Sequence, residues 1–419
     1  MSYVTCLRGL GSGAVYPADA VMNLCPVDGR PVEMVLDLER LAAERPRGAW
    51  YDPSRRDMWR FGGLLALDPA DPEDARHIVS LGEGATPLVD ISRFTAARRG
   101  GFRLLLKDEG DARPGFGANP TRSFKDRGMS MVVSMARRLG LARLVVPTQG
   151  NAGDSLVEYG RAAGLEVAVV MPGDTPMAIL GRVAAAARMD ERVHLELVEG
   201  TIREAGARVK ARWVPEGWFS VATFQEPGWR IEGKKTLGLE IAAPATPGGP
   251  WRLPDAIVYP TGGGTGLLGM WKAFAELEAL GLVGTARPRM IAVQSEATRP
   301  LVEAMASGAA DTRPADAGHT LATGLNVPGG VGHFRVLDIL RDSGGTAVSV
   351  SEGAIGRSMA DARRQLGQAL SPEGAACLAA LPVLADSGYL RPWERVVLVN
   401  TGSAGKYLPD VLPWLEAPV

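Results

Sequence analysis

From about residue 80 onward, short apolar runs alternate with amphipathic segments, and this alternation restricts the chain to few architectures. The strand candidates are Phe102–Leu106, Ala142–Val146, Glu166–Met171, His194–Val198, Ala256–Tyr259, Met290–Val293 and Val396–Val399. Several are nearly continuous Val/Ile/Leu runs, the pattern of strands buried on both faces. Helical patterns lie between them, at Met129–Leu139, Ser155–Ala163, Ile202–Arg212, Gly266–Leu280, Arg299–Ala306, Glu352–Leu366 and Gly374–Ala385. Strand–helix alternation of this kind predicts an α/β chain with open, mostly parallel sheets flanked by helices. The 419 residues suffice for two to three domains.

Composition narrows the function classes. Lys and Arg number 46 against 47 Asp and Glu, and no basic stripe stands out, so neither nucleic acid nor an anionic membrane is the expected partner. No apolar run approaches the ~20 residues of a membrane span, and the first residues lack the pattern of a signal peptide. Three cysteines make no disulfide framework, which fits a cytoplasmic protein.

Residues 1–60 read as irregular, and residues 1–75 as an N-terminal extension. Cys6 and Cys25 stand where two C-x-x-C knuckles would begin, but Gly9 and Asp28 occupy the second positions. Two thiolates make a poor zinc site, so a degenerate ribbon-like cap without metal is expected. None of His77, His194, His319 and His333 has metal-ligand spacing.

The segment Asn119–Gly128, N-P-T-R-S-F-K-D-R-G, places Lys125 at the junction of a turn and a helix. The positive end of a helix disfavours an ammonium and favours the neutral amine of a nucleophile. Alone, the position is more often that of an ordinary surface lysine beside Asp126 in a first helical turn. Strand Asp255–Pro260 runs into Thr261-Gly-Gly-Gly-Thr-Gly266 and then a helix, an arrangement that binds phosphate through converging backbone N–H groups. Two other motifs compete there. Gly264–Gly269 matches the G-x-G-x-x-G dinucleotide fingerprint, with Gln294 and Glu296 after the next strand, so a nicotinamide-dependent oxidoreductase stays open. Gly228–Lys235 resembles a Walker motif, but Lys235 replaces the magnesium-binding hydroxyl and no glycine-rich turn precedes it.

Thr148-Gln-Gly-Asn151-Ala-Gly153 and Thr401-Gly-Ser-Ala-Gly405 each follow a strand, where open α/β sheets bind ligands, although each is also an ordinary helix cap. A phosphate cradle, a candidate lysine nucleophile and no metal ligands together match the needs of pyridoxal phosphate.

The ordered motifs S-F-K-D-R-G (123–128), Q-G-N-A-G (149–153), R-I-E-G-K-K-T (230–236), P-T-G-G-G-T-G (260–266), A-V-Q-S-E (292–296), S-P-E-G-A-A (371–376) and N-T-G-S-A-G-K (400–406) resemble the threonine synthase family. That family belongs to the fold-type II, tryptophan-synthase-β-like enzymes, and the resemblance runs over roughly residues 80–406. It implies a large cofactor-binding domain of residues 76–126 and 216–419, a small mobile domain of residues 127–215, and pyridoxal 5'-phosphate in the cleft between them.

The resemblance also implies roles. Lys125 forms a Schiff base with the cofactor and shuttles protons, with Phe124 near the ring. Asn151 hydrogen-bonds the ring hydroxyl, Gly262, Gly263, Gly264, Thr265 and Gly266 cradle the phosphate, and Thr401 sits at the pyridine nitrogen. Thr148, Gln149, Gly150 and Asn151 would take the substrate carboxylate, beside Ser123, while Arg122 would either bind a substrate anion or point to solvent. The implied reaction converts O-phospho-L-homoserine and water into L-threonine and phosphate. A specialised paralogue is the alternative, acting on another amino acid as an ammonia-lyase or a cysteate-synthase-like enzyme. Arg122 departs from the family pattern, where a small residue, usually glycine, is common. Asp154 departs too, and would repel an anionic substrate if it faced the pocket. A homodimer is expected, as for many soluble enzymes.

Overall fold

The computed structural model describes residues 3–45, 50–244, 246 and 248–416. The chain start and part of the segment 244–254 lie outside the described residues.

The described strands, in chain order, are β1 (Val4–Gly9), β2 (Val15–Pro17), β3 (Val32–Leu36), β4 (Leu88–Asp90), β5 (Arg103–Asp108), β6 (Arg143–Pro147), β7 (Glu166–Pro172), β8 (Val193–Val198), β9 (Phe219–Ser220), β10 (Ala256–Pro260), β11 (Arg289–Ser295), β12 (Thr346–Val350) and β13 (Arg395–Asn400). They form three sheets. The largest has the order β12-β11-β10-β13-β5-β4, parallel except for the β4 edge, which runs antiparallel to β5. The second is a parallel sheet of order β8-β7-β6-β9. Their central strands are buried along nearly their whole length, because helices cover both faces.

The third sheet, β2-β1-β3, is antiparallel and lies within the N-terminal residues expected to be irregular. Its burial alternates along β3, so one face packs inward, and Leu7, Val32 and Met34 join the main core. The segment packs closely on the start of helix Trp229–Ala242: a Cβ at Gly228 would lie 2.9 Å from the Glu33 Cα. Cys25 is buried near Ser12 Oγ at 3.3 Å and the Tyr16 hydroxyl at 3.1 Å. Among the described residues no group of His, Cys, Asp and Glu could hold a metal, and no helix is long and apolar enough to cross a membrane.

Helix Trp229–Ala242 escapes the hydrophobic periodicity. Every residue in it is buried, including Arg230, Glu232, Lys234, Lys235, Thr236 and Glu240. A helix enclosed on all sides shows no polar face, and here most of its charges are paired, Glu240 with Arg127 and Lys235 with Glu276 among them. The expected helix 202–212 is an α-helix over Ile202–Arg208 that widens into a π-turn over Val209–Trp213.

Candidate active site

Four strand ends converge on one cavity of about 950 Å³. The glycine loop follows β10 and the Thr401 loop follows its neighbour β13. The Thr148–Asn151 loop follows β6 and the segment Ala222–Gln225 follows its neighbour β9. Ligands in open α/β sheets bind at such carboxyl ends, and the volume suits a cofactor with a small substrate.

Lys125 opens helix Lys125–Arg138 and lines this cavity. The motif around it fixes that position. Asp126 accepts from Thr121 N at 2.7 Å, Thr121 Oγ1 at 2.6 Å and Ser155 Oγ at 2.7 Å, which locks the preceding turn to the helix. Burial pushes the Asp126 carboxyl up to about 6, against those donors. Arg127 Nε donates to Glu109 at 2.6 Å and its Nη2 to Glu240 at 2.8 Å, and Lys107 Nζ donates to the same Glu240 oxygen at 2.7 Å. This buried network ties β5, the Lys125 helix and helix Trp229–Ala242 together. A Cβ at Gly233 would sit 2.0 Å from Arg127 O, so the two helices touch there through backbone alone.

Burial, and then the Arg230 guanidinium, bring the Lys125 amine down to about 8, with Glu373 opposing. The Lys125 Nζ lies 5.0 Å from the centre of the Phe124 ring, which stands edge-on to Tyr259. An amine so placed is available as the free base near neutrality.

The glycine loop presents Gly262, Gly263, Gly264 and Thr265 to the cavity. Gly264 has φ of 87°, which favours glycine, and a Cβ at Gly262 would lie 2.3 Å from Gly324 O. Thr265 begins a helix with no side-chain cap on its first N–H groups. His333, beneath the loop, accepts from Gly330 N through Nδ1 at 3.1 Å, which leaves Nε2 to donate to Gly262 O at 2.9 Å. Gly266 is not among the lining residues, and a Cβ there would meet the Tyr259 hydroxyl at 2.0 Å. Gly269 likewise packs on the backbone of Lys235. The last two glycines of the dinucleotide-like fingerprint are therefore packing positions. In the Walker-like segment, Lys235 is held by Glu232 at 2.7 Å and Glu276 at 2.9 Å.

Thr148, Gln149, Gly150 and Asn151 line the opposite wall. Thr148 Oγ1 bridges Gly150, accepting from its N at 3.0 Å and donating to its O at 3.1 Å. Gln149 Nε2 donates to Asp174 at 3.2 Å. Asn151 Nδ2 lies 3.4 Å from the Tyr407 hydroxyl, while its buried Oδ1 has no partner among the described residues. Thr401 lines the cavity as well, and its carbonyl accepts from Phe124 N at 3.0 Å.

Arg122 and Ser123 are placed otherwise than expected. Neither lines the cavity. Arg122 is exposed and has φ of 59°, the left-handed conformation that explains why glycine is common at this position of the pattern. Ser123 is buried and bridged to Gly402 through backbone. Asp154 also avoids the cavity: it pairs with Lys406 at 2.7 Å and Arg182 at 2.8 Å, which removes the expected repulsion of an anion.

Tyr259, Glu373 and Tyr407 carry no expected role from the sequence, yet all three line the cavity. Glu373 lies within S-P-E-G-A-A and Tyr407 directly follows N-T-G-S-A-G-K, so the motifs did mark their positions. The loop Asp311–Gly318 contributes Asp311, Thr312 and Pro314 to the cavity.

The residues present fit pyridoxal phosphate: an amine, an uncapped glycine-loop helix and an amide whose oxygen is unpartnered among the described residues line one cavity. Comparison with known proteins agrees. Residues 79–402 match the family described as pyridoxal-phosphate dependent enzyme. A threonine synthase of Methanosarcina acetivorans is 31% identical over 412 residues, covering 98% of this chain and 95% of that protein. A threonine synthase of Methanocaldococcus jannaschii is 29% identical over 414 residues, with the same coverage of 98% and 95%. Among solved structures, threonine deaminase isoform 2 of Solanum lycopersicum has a TM-score of 0.63 at 20% identity, covering 83% of this chain and 91% of that one. The T.th. threonine deaminase has a TM-score of 0.58 at 26% identity, covering 76% and 92%.

Proposed function

Because this chain belongs to the pyridoxal-phosphate dependent enzyme family, as a threonine-synthase-like member of fold type II, we propose that it converts O-phospho-L-homoserine and water into L-threonine and phosphate. The observation that carries this reading is Lys125, brought down to about 8 by burial and Arg230 and lining the same cavity as the glycine loop. Similarity to threonine synthases along nearly the whole chain supports the substrate.

Pyridoxal phosphate, when bound, supplies an electron sink for the charge left after an amino acid loses its α-proton. Lys125 would hold it covalently through Nζ, then take that proton and return protons at later steps. Gly262, Gly263, Gly264 and Thr265 would hold its phosphate, Asn151 its ring hydroxyl, and Thr401 its pyridine nitrogen without donating a full charge. Thr148, Gln149 and Gly150 would take the substrate carboxylate. Residues 127–215 would form a small domain, closing over residues 76–126 and 216–419 to exclude water. A cytoplasmic homodimer completes the reading.

A second reading is ammonia release from threonine or serine, favoured by the likeness to the T.th. threonine deaminase. The test is a substrate panel on the cofactor-loaded protein, following phosphate and ammonia together. Phosphate and threonine from O-phospho-L-homoserine are the expected products. Ammonia from threonine, with no phosphate from phosphohomoserine, would replace the first reading by the second.

A further inference from the structure

Lys234 is 1% exposed and sits one hydrogen bond behind the cavity wall, where its Nζ donates to Thr265 Oγ1 at 2.6 Å. Its surroundings are unusual for a buried cation. The same Nζ lies 4.3 Å from the centre of the Phe124 ring, which also carries Lys125 at 5.0 Å. Among the described residues Lys234 forms no ion pair, whereas the adjacent Lys235 is held by two carboxylates. Burial, then Lys125 and Arg230, hold its amine well below the usual lysine range, with Glu226 in opposition. Glu226 is a weak counterion, since burial pushes its own carboxyl up to about 7.

A buried amine without a counterion is disfavoured as a cation, and an anion arriving beside it favours the charged form. The position suits one. Thr265 is the first residue of the uncapped helix after Gly262–Gly264, and it lines the same cavity as that loop. Because Thr265 Oγ1 accepts from Lys234, its own hydrogen is free to donate toward that cavity.

We propose that Lys234 is the charge partner of the phosphate held at Gly262–Thr265, acting through the Thr265 hydroxyl, and that it makes this site selective for the phosphorylated ligand. The proposal rests on the assignment of the cavity to pyridoxal phosphate and adds a positioning residue to it. A dianion beside Thr265 would favour protonated Lys234, and that charge would in turn favour neutral Lys125. Binding of the phosphate and readiness of the nucleophile would thus be coupled through two amines on one aromatic ring.

The test compares pyridoxal phosphate with pyridoxal, which lacks the phosphate, on wild type, Lys234→Gln and Thr265→Val, reading dissociation constants from the near-visible absorbance of the lysine-bound form. Both variants should weaken pyridoxal phosphate by roughly 10-fold or more, the usual scale for loss of a charge-assisted contact. Pyridoxal should bind within about twofold of wild type, which also shows that the variants fold. Equal weakening of both ligands would mark Lys234 as merely structural, and an unchanged preference for the phosphorylated form would also overturn the proposal. A wild type that binds neither ligand would instead remove the cofactor reading on which the proposal stands.

Discussion

Tyr407 donates its hydroxyl hydrogen to Glu373 Oε1 at 2.8 Å, and both residues line the cavity. The same carboxylate oxygen accepts from Gly324 N at 2.9 Å, and burial pushes the Glu373 carboxyl up. The Tyr407 hydroxyl also lies 3.4 Å from Asn151 Nδ2, so one phenol steadies both a buried acid and an amide that lines the cavity. Tyr407→Phe would leave the acid short of a donor and release the Asn151 amide. The expected loss of stability is about 1–3 kcal/mol, the cost of stranding a buried polar group, with weaker retention of the cofactor. Thermal melting, and the fraction of cofactor kept through gel filtration, check both effects.

The Lys125 amine titrates near 8 rather than ~10.4, because burial and Arg230 disfavour its ammonium form. Only the free base attacks a carbonyl, so reaction with the cofactor should accelerate as pH rises and level off above about 8. Borohydride-trapped label at Lys125, measured from about pH 6 to 10 after a fixed short exposure, gives the midpoint. A midpoint near ~10 would show an ordinary, solvated lysine. Lys125→Ala should abolish the labelling at every pH.

How far the sequence reveals such a site depends on which residues carry a pattern. β6, β7, β10, β11 and β13 were legible because burial on both faces leaves continuous apolar runs. Glycine loops after strands marked the ligand end of the sheet. The short β4 and β9 were not legible, since three and two residues carry no period. Helix Trp229–Ala242 was hidden for the opposite reason: its charges are all internal, and they read as surface until the Arg127–Glu240 and Lys235–Glu276 pairs are seen in three dimensions. Glu373 and Tyr407 lie within or just beside recognisable motifs, but only the fold brings them to Asn151.

The Arg127 network offers a stability test independent of the cofactor. Arg127, Glu109, Glu240 and Lys107 are all buried, with two cations against two carboxylates. Removing one member leaves the others uncompensated, so Arg127→Ala should cost about 3–5 kcal/mol. Denaturant unfolding of the cofactor-free protein measures it directly. A loss below ~1 kcal/mol would mean that the network behaves like a surface ion pair and does not anchor the Lys125 helix.

Arg122 separates backbone geometry from substrate binding. Its φ of 59° strains any residue with a Cβ, its side chain is exposed, and it does not line the cavity. The carbonyl of Arg122 accepts from Ser403 N at 3.0 Å, which holds the left-handed turn against the Thr401 loop whatever the side chain. Arg122→Gly should therefore keep that contact, relieve strain and leave the Michaelis constant unchanged. Stability should rise by up to ~1 kcal/mol, since the freedom glycine adds to the unfolded chain offsets part of the relief. A several-fold rise in the Michaelis constant, with the absorbance of the bound cofactor intact, would instead mean that the guanidinium swings into the mouth to grip a substrate anion. Steady-state kinetics and thermal melting of this one variant distinguish a turn residue from a binding residue.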